Sequence, residues 1–394
     1  MKKKLVQQVT ASFKEQFNAE PGYVFLSPGR INIIGEHVDY NDGFVLPAAI
    51  NKYVCFAVSE NEDGQNTFFA KDLNESYSFN LNDELKPVDK MWVNFFLGVL
   101  QQMKERGFAM KGLNIAFSST VPMGAGLSSS AAVECGYAFA LNKIFDLGLT
   151  KEEIALIGQK SEHTYVGVNC GIMDQFASVF GKKNKVIKLD CNTLEYEYHN
   201  ADFKDYALLL LDSKVKHTHL TSGYNDRRNE VEQGLAILKQ HYPEVKTFRD
   251  LNEAQVEAVK DELGDVIYRR CLFVVREIQR VLDAVAALEN QDFAELGRLM
   301  YATHTGLSKN YEVSCEEIDF LVDSVRNDEN VLGARMMGGG FGGCSINLVK
   351  KEAVNGLIER IAKEYKEKFN IKLEAYKVKI AKGTTLYTEQ HAGI

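Results

Sequence analysis

The run Pro122-Met123-Gly124-Ala125-Gly126-Leu127-Ser128-Ser129-Ser130-Ala131-Ala132 limits the fold more than any other stretch, because it joins a strand pattern to a helix pattern through small residues. Before it, Leu113, Ile115 and Phe117 alternate as a half-buried strand does; after it, Val133, Tyr137, Ala140, Leu141 and Ile144 keep the spacing of one helix face. Glycines in such a turn let backbone N–H groups converge on an anion, and the helix N-terminus behind them carries unpaired donors and roughly half a positive charge. A tight turn closed by a serine N-cap would use one hydroxyl. Ser128, Ser129 and Ser130 supply three, which favours a phosphate loop whose hydroxyls bond phosphate oxygens or a magnesium ion. The spacing fits neither G-x-x-x-x-G-K-[ST] nor the dinucleotide fingerprint, whose third glycine is missing.

A second glycine run, Gly338-Gly339-Gly340-Phe341-Gly342-Gly343, leads into Cys344 to Val349, which alternates like a strand. A dinucleotide fold would open a helix there. Two readings stay open: a hairpin with positive φ angles, or a backbone loop that approaches a ligand closely.

Two further stretches carry polar chemistry. In Pro28 to Gly43, Glu36, His37 and Asp39 place acceptors and a switchable donor within four residues, which suits a polyol; an isolated group of this kind is otherwise a solvated turn, and Arg30 a surface ion-pair partner. The three lie too close in sequence to share one metal ion unaided. In Ser161 to Phe176, Asp174 sits in an apolar helical turn between Met173 and Phe176, where a charge is costly unless paired or used. It serves there either as a capping acid or as a base near a sugar hydroxyl.

The chain of 394 residues exceeds the size at which one core keeps growing and predicts two packed α+β domains, 1–200 and 201–394. Helices are predicted over 172–180, around Tyr224 to Leu238 before Pro243, and near 270–290 and 351–368, with a strand buried on both faces at 207–211 and strands at 344–349 and 376–380. Leu5, Val9, Phe13 and Phe17 mark an amphipathic surface helix, not a signal peptide, and no apolar run is long enough for a bilayer. A net charge of -8 gives no general field for nucleic acid or anionic lipid, so the expected partner is a small molecule. Seven scattered cysteines without a C-x-x-C pair fit reduced thiols in the cytoplasm.

Taken together, the four motif stretches resemble those of the GHMP kinases, and Gly29 to Ile50 is similar to the signature of their galactokinase branch. The resemblance covers nearly the whole chain, in the family's order. It implies an N-terminal domain like ribosomal protein S5 domain 2, a ferredoxin-like C-terminal domain, and an active site between them. It implies ATP and Mg2+ as cofactors and phosphorylation of galactose on its C1 hydroxyl, in galactose catabolism; a monomer is expected. Residue by residue, it implies Asp174 as catalytic base with Arg30 as cationic partner. Glu36, His37, Asp39, Gly171, Asp174 and Tyr224 would contact the sugar. Gly124, Ala125, Gly126, Leu127, Ser128, Ser129 and Ser130 would hold the nucleotide, and Ser130 and Glu162 the magnesium. Trp92 resembles the family's aromatic near the adenine, although a core tryptophan is the plainer reading. Asp42 departs from the family pattern, which has glycine or a small residue. Alternatives are a kinase for N-acetylgalactosamine or arabinose, and a galactose sensor without turnover. The intact Ser128 to Ala132 stretch, with Arg30 and Asp174, favours an active enzyme over the sensor.

Overall fold

In the computed structural model, which describes residues 2–62, 64–216 and 220–388, strand alternation builds the first half. Along Tyr23–Asn32, Phe25 points into the main core while Leu26 points to the opposite face, beneath the helix Lys2–Phe17. Leu5, Val9 and Phe13 of that helix pack there against Cys55, Ala57 and Ala116. The sheet is therefore covered on both faces. That corrects the half-buried reading of Leu113–Ser119: Ala116 and Ser118 are buried as well as Leu113 and Ile115.

Six strands make this sheet, in the order Thr385–Leu386, Tyr23–Asn32, Pro47–Glu60, Leu113–Ser119, Gln65–Ala70 and Glu75–Asn80. All pairs are antiparallel except Leu113–Ser119 with Gln65–Ala70. Its inner face carries the helices Met91–Glu105, Ser129–Ile144 and Met173–Phe180, and Lys151–Ser161 packs on those three. A small sheet of Phe44–Val45, Lys185–Asp190 and Tyr196–Asn200 follows.

The second half is a four-stranded antiparallel sheet in the order Val331–Met337, Gly342–Lys350, Tyr206–Lys216 and Glu374–Val378. Leu208 to Leu211, an apolar run with no alternation, lie buried in a strand paired on both edges. The expected helices are present as Leu220–His241, Lys260–Glu289 and Val354–Phe369. Helices and mostly antiparallel strands interleave in each half, the α+β class expected. We propose the division at residue 200, with the chain crossing back to the first sheet at Thr385–Leu386. Among the described residues no helix is long and apolar enough to cross a membrane.

Candidate active site

Arg30 reaches the site through a bulge. The strand Tyr23–Asn32 shifts register between Pro28 and Arg30, and Gly29 there lies so close to the serine loop that a Cβ would sit 2.6 Å from the Leu127 carbonyl oxygen. A bulge re-aims the side chain that follows it. Arg30 Nε and Nη2 donate to Asp174 Oδ1 and Oδ2 at 2.8 and 3.1 Å, and Nη1 donates to the Gly126 carbonyl. Burial opposes the guanidinium charge, but the Asp174 and Glu36 carboxylates outweigh it and raise its pKa. Arg30 is no surface ion-pair residue, being 3% exposed.

Asp174 occupies the first turn of Met173–Phe180, and its carboxylate partners are the Arg30 guanidinium and the Ser128 hydroxyl, which donates to Oδ2. Those are not the N–H groups of a helix end, so the capping alternative falls. The plain turn-and-cap reading of the serine loop fails with it. Ser128 stands at the N-cap of Ser129–Ile144 in the left-handed conformation, φ 56°, and its side chain makes no capping bond.

The opposite wall holds the acidic signature. Glu36, His37 and Asp39 are 2%, 3% and 9% exposed, which excludes a solvated turn. Glu36 Oε1 accepts from Arg335 Nη1 and Nη2 and from Gly338 N. His37 Nδ1 lies 2.8 Å from the Tyr40 hydroxyl, which lies 2.8 Å from that of Tyr311, and the Tyr224 ring packs against both His37 and Tyr40. Burial lowers the His37 pKa to about 3, with Arg227 adding to the shift, so the imidazole is neutral at physiological pH. Burial, then the charges of Asp174 and Glu36, raise Asp39 to about 7. Gly171 backs this group, since a Cβ there would meet Asp39 Oδ2 at 2.2 Å. Asp42 explains its own departure: it adopts φ 57°, a left-handed position that glycine fills freely and aspartate tolerates.

Glu162 enters from a π-turn, Glu162–Val166, that continues the helix Lys151–Ser161. Such turns recur at functional sites. Its Oε2 is buried without a hydrogen-bond partner among the described residues, and the Ser130 hydroxyl lies beside the carboxylate. Among the described residues no three or more His, Cys, Asp and Glu are grouped to hold a metal ion. Magnesium in nucleotide sites needs no such cage: one or two protein groups suffice beside waters and phosphate oxygens, and Ser130 with the orphaned Glu162 oxygen fits that donor set.

These residues converge. Arg30, Glu36, His37, Asp39, Glu162, Asp174 and Tyr224 line one cavity of about 230 Å³ with Gly124, Gly126, Leu127, Ser128, Ser129 and Ser130. Ala125 is buried behind the loop against Gly343, and Gly171 sits behind Asp39, so neither lines it. Trp92 lies outside it, packed on Phe96 and Phe117, with Nε1 donating to Glu75. The second glycine run has the positive φ angles of one reading and borders the cavity, as the other requires. Gly338, Gly340, Gly342 and Gly343 have positive φ, while Gly338 and Gly339 line the cavity. Sequence reasoning passed over Arg335 and Glu134. Each is a charge within an apolar element, and Glu134 stands one turn after Ser130, fully buried beside Glu162, Gln175 and Ser161.

Family models match the chain in three places: the GHMP kinases N terminal domain over residues 94–182, the GHMP kinases C terminal domain over 284–367, and a galactokinase galactose-binding signature over 11–60. Fold and site together define a GHMP kinase. A galactokinase of Thermotoga neapolitana is 42% identical over 91% of this chain and 98% of its own, and one of Clostridium perfringens 38% identical over 95% and 98%. The crystal structure of Lactococcus lactis galactokinase complexed with galactose superposes with a TM-score of 0.91 at 33% identity, over 96% of this chain and 99% of that one. A Methanococcus jannaschii mevalonate kinase, at TM-score 0.65 and 21% identity over 91% and 98%, shares the fold. The chain belongs to the galactokinase family of the GHMP kinases, and it is an ATP-dependent sugar kinase.

Proposed function

We propose that this kinase transfers the γ-phosphoryl group of ATP to the C1 hydroxyl of α-D-galactose, giving galactose 1-phosphate and ADP. The observation that carries the reading is the position of the Asp174 carboxylate, gripped by Arg30 and Ser128 on the cavity wall where the acidic signature meets the serine loop. Phosphoryl transfer asks a protein mainly for positioning and charge stabilisation. In this reading Asp174 takes up or orients the proton of the C1 hydroxyl, and Arg30 fixes Asp174 and faces the charge of the transferring group. Glu36, His37, Asp39 and Tyr224 hold the sugar hydroxyls, with Gly171 behind Asp39. Gly124 to Ser130 hold the phosphates through the loop and the end of the helix Ser129–Ile144.

Ser130 and Glu162 would hold Mg2+, which when bound neutralises charge on the β- and γ-phosphates. The galactose complex of the Lactococcus relative supports the choice of sugar. We also propose a monomer of the cytoplasm; seven unpaired cysteines support the compartment. The test is coupled ADP release with galactose, N-acetylgalactosamine, glucose and arabinose. Galactose should give the highest kcat/KM. Faster turnover of another sugar would replace the substrate, and no release with any of them would leave a sensor.

A further inference from the structure

The segment that bears Glu36 is gripped by the other half of the protein. Arg335, in the strand Val331–Met337, has no exposed surface, and all five of its N–H donors are engaged. Nε donates to the Ile33 carbonyl at 2.8 Å, Nη2 to the Asn32 carbonyl at 2.5 Å, and Nη1 to its neighbour, the Met336 carbonyl. Nη1 and Nη2 also reach Glu36 Oε1 at 3.2 and 3.1 Å. The backbone N–H of Gly338, three residues on, adds a third bond to that oxygen at 2.8 Å.

Neighbouring contacts brace both partners. Glu277 Oε1, from the helix Lys260–Glu289, accepts from Gly35 N at 2.9 Å and is itself held by Thr303. His304 Nδ1 accepts from Met336 N at 3.2 Å, with Asp319 behind the ring. An ion pair this deep adds little net stability compared with a well-packed apolar pair, so stability alone gives it no evident purpose.

We propose that Arg335 is the positioning residue of the sugar site: it fixes the Asn32–Glu36 segment and aims the Glu36 carboxylate into the cavity. This rests on reading Glu36 as a sugar ligand. The nucleotide loop meets the same strand differently, through backbone, since a Cβ on Gly126 would lie 3.0 Å from the Met337 carbonyl oxygen. Changing the Arg335 side chain therefore acts on the sugar before it acts on ATP.

The experiment uses the full chain as wild type, Arg335→Lys, Glu36→Gln and the double variant, with galactose and ATP varied separately and ATP binding measured by calorimetry. Lysine keeps the charge but cannot reproduce the five-donor fork. We expect Arg335→Lys to raise the galactose KM roughly tenfold or more, the size of a lost charged hydrogen bond, while kcat and the ATP KM stay within about twofold. The double variant should be little worse than the poorer single one, because both act on one contact. An unchanged galactose KM, a parallel rise in both KM values, loss of ATP binding, or losses that multiply in the double variant would each overturn the proposal. A wild type that turns over ATP but not galactose would instead remove the reading beneath it.

Discussion

The two walls of the cavity are built differently. On the wall proposed for the sugar, Glu36, His37 and Asp39 are almost wholly buried, and Glu36 is fixed by groups from the far half of the chain. On the wall proposed for the nucleotide, Met123 is 59% exposed, Gly124 is exposed, and Ser129 and Ser130 are half-buried. The difference follows from what each ligand brings. A neutral sugar offers only hydroxyls, so selectivity requires acceptors already desolvated and aimed. A polyphosphate brings its own charge, and a loop of N–H groups before a helix suffices to receive it. Ser128 joins the walls, since it lies in the loop but bonds to the acid on the sugar side.

Three substitutions sharpen or break this contrast. Asp174→Asn sits on the pre-aimed side, and turnover should fall by roughly two to four orders of magnitude while both substrates still bind, the range for a positioned base. Full activity in rapid-quench or coupled assays would remove the assignment. Ser128→Ala takes one charged hydrogen bond from the acid and should lower kcat roughly 10- to 100-fold with little change in the ATP KM. If the ATP KM moved instead, Ser128 would belong to the nucleotide wall alone. Ser130→Ala should raise the magnesium concentration for half-maximal rate by roughly three- to tenfold, the loss of one neutral contact. A magnesium titration identical to wild type would count against it as a ligand.

How much of this was legible depended on whether the signal was local. The strand-loop-helix around Gly124 to Ser130 could be read because apolar period and small residues lie side by side. Arg30, Asp174 and Ser128 could be nominated singly, yet residue chemistry left each an ordinary alternative, and only contact across 144 and 46 positions removed it. Arg335 was out of reach because its partners lie about 300 residues earlier. The double cover of the first sheet was missed for a smaller reason: Ala116 and Ser118 do not signal burial, and the helix that covers Ala116 lies about 100 residues upstream.

Asp39 offers the finest test of a desolvated sugar wall, because its raised pKa is a direct consequence of that wall. With a value of about 7, set first by burial and then by Asp174 and Glu36, the carboxylate is mostly protonated below neutrality in the free enzyme. As an acceptor for sugar hydroxyls it serves best ionised, so kcat/KM for galactose should rise a few-fold between about pH 6 and pH 8, bounded by the roughly tenfold change in ionised fraction. The rise should vanish in Asp39→Asn and be absent from the ATP KM. Stability should run the other way: the folded chain keeps a proton that the unfolded chain releases near 3.8, so the fold loses stability as pH rises from there to about 7. Asp39→Asn should therefore melt higher than wild type at pH 8 and lose that advantage near pH 4. Equal melting differences at both would mean that Asp39 titrates alike in the folded and unfolded chain, and that the wall around it is wetter than its burial implies.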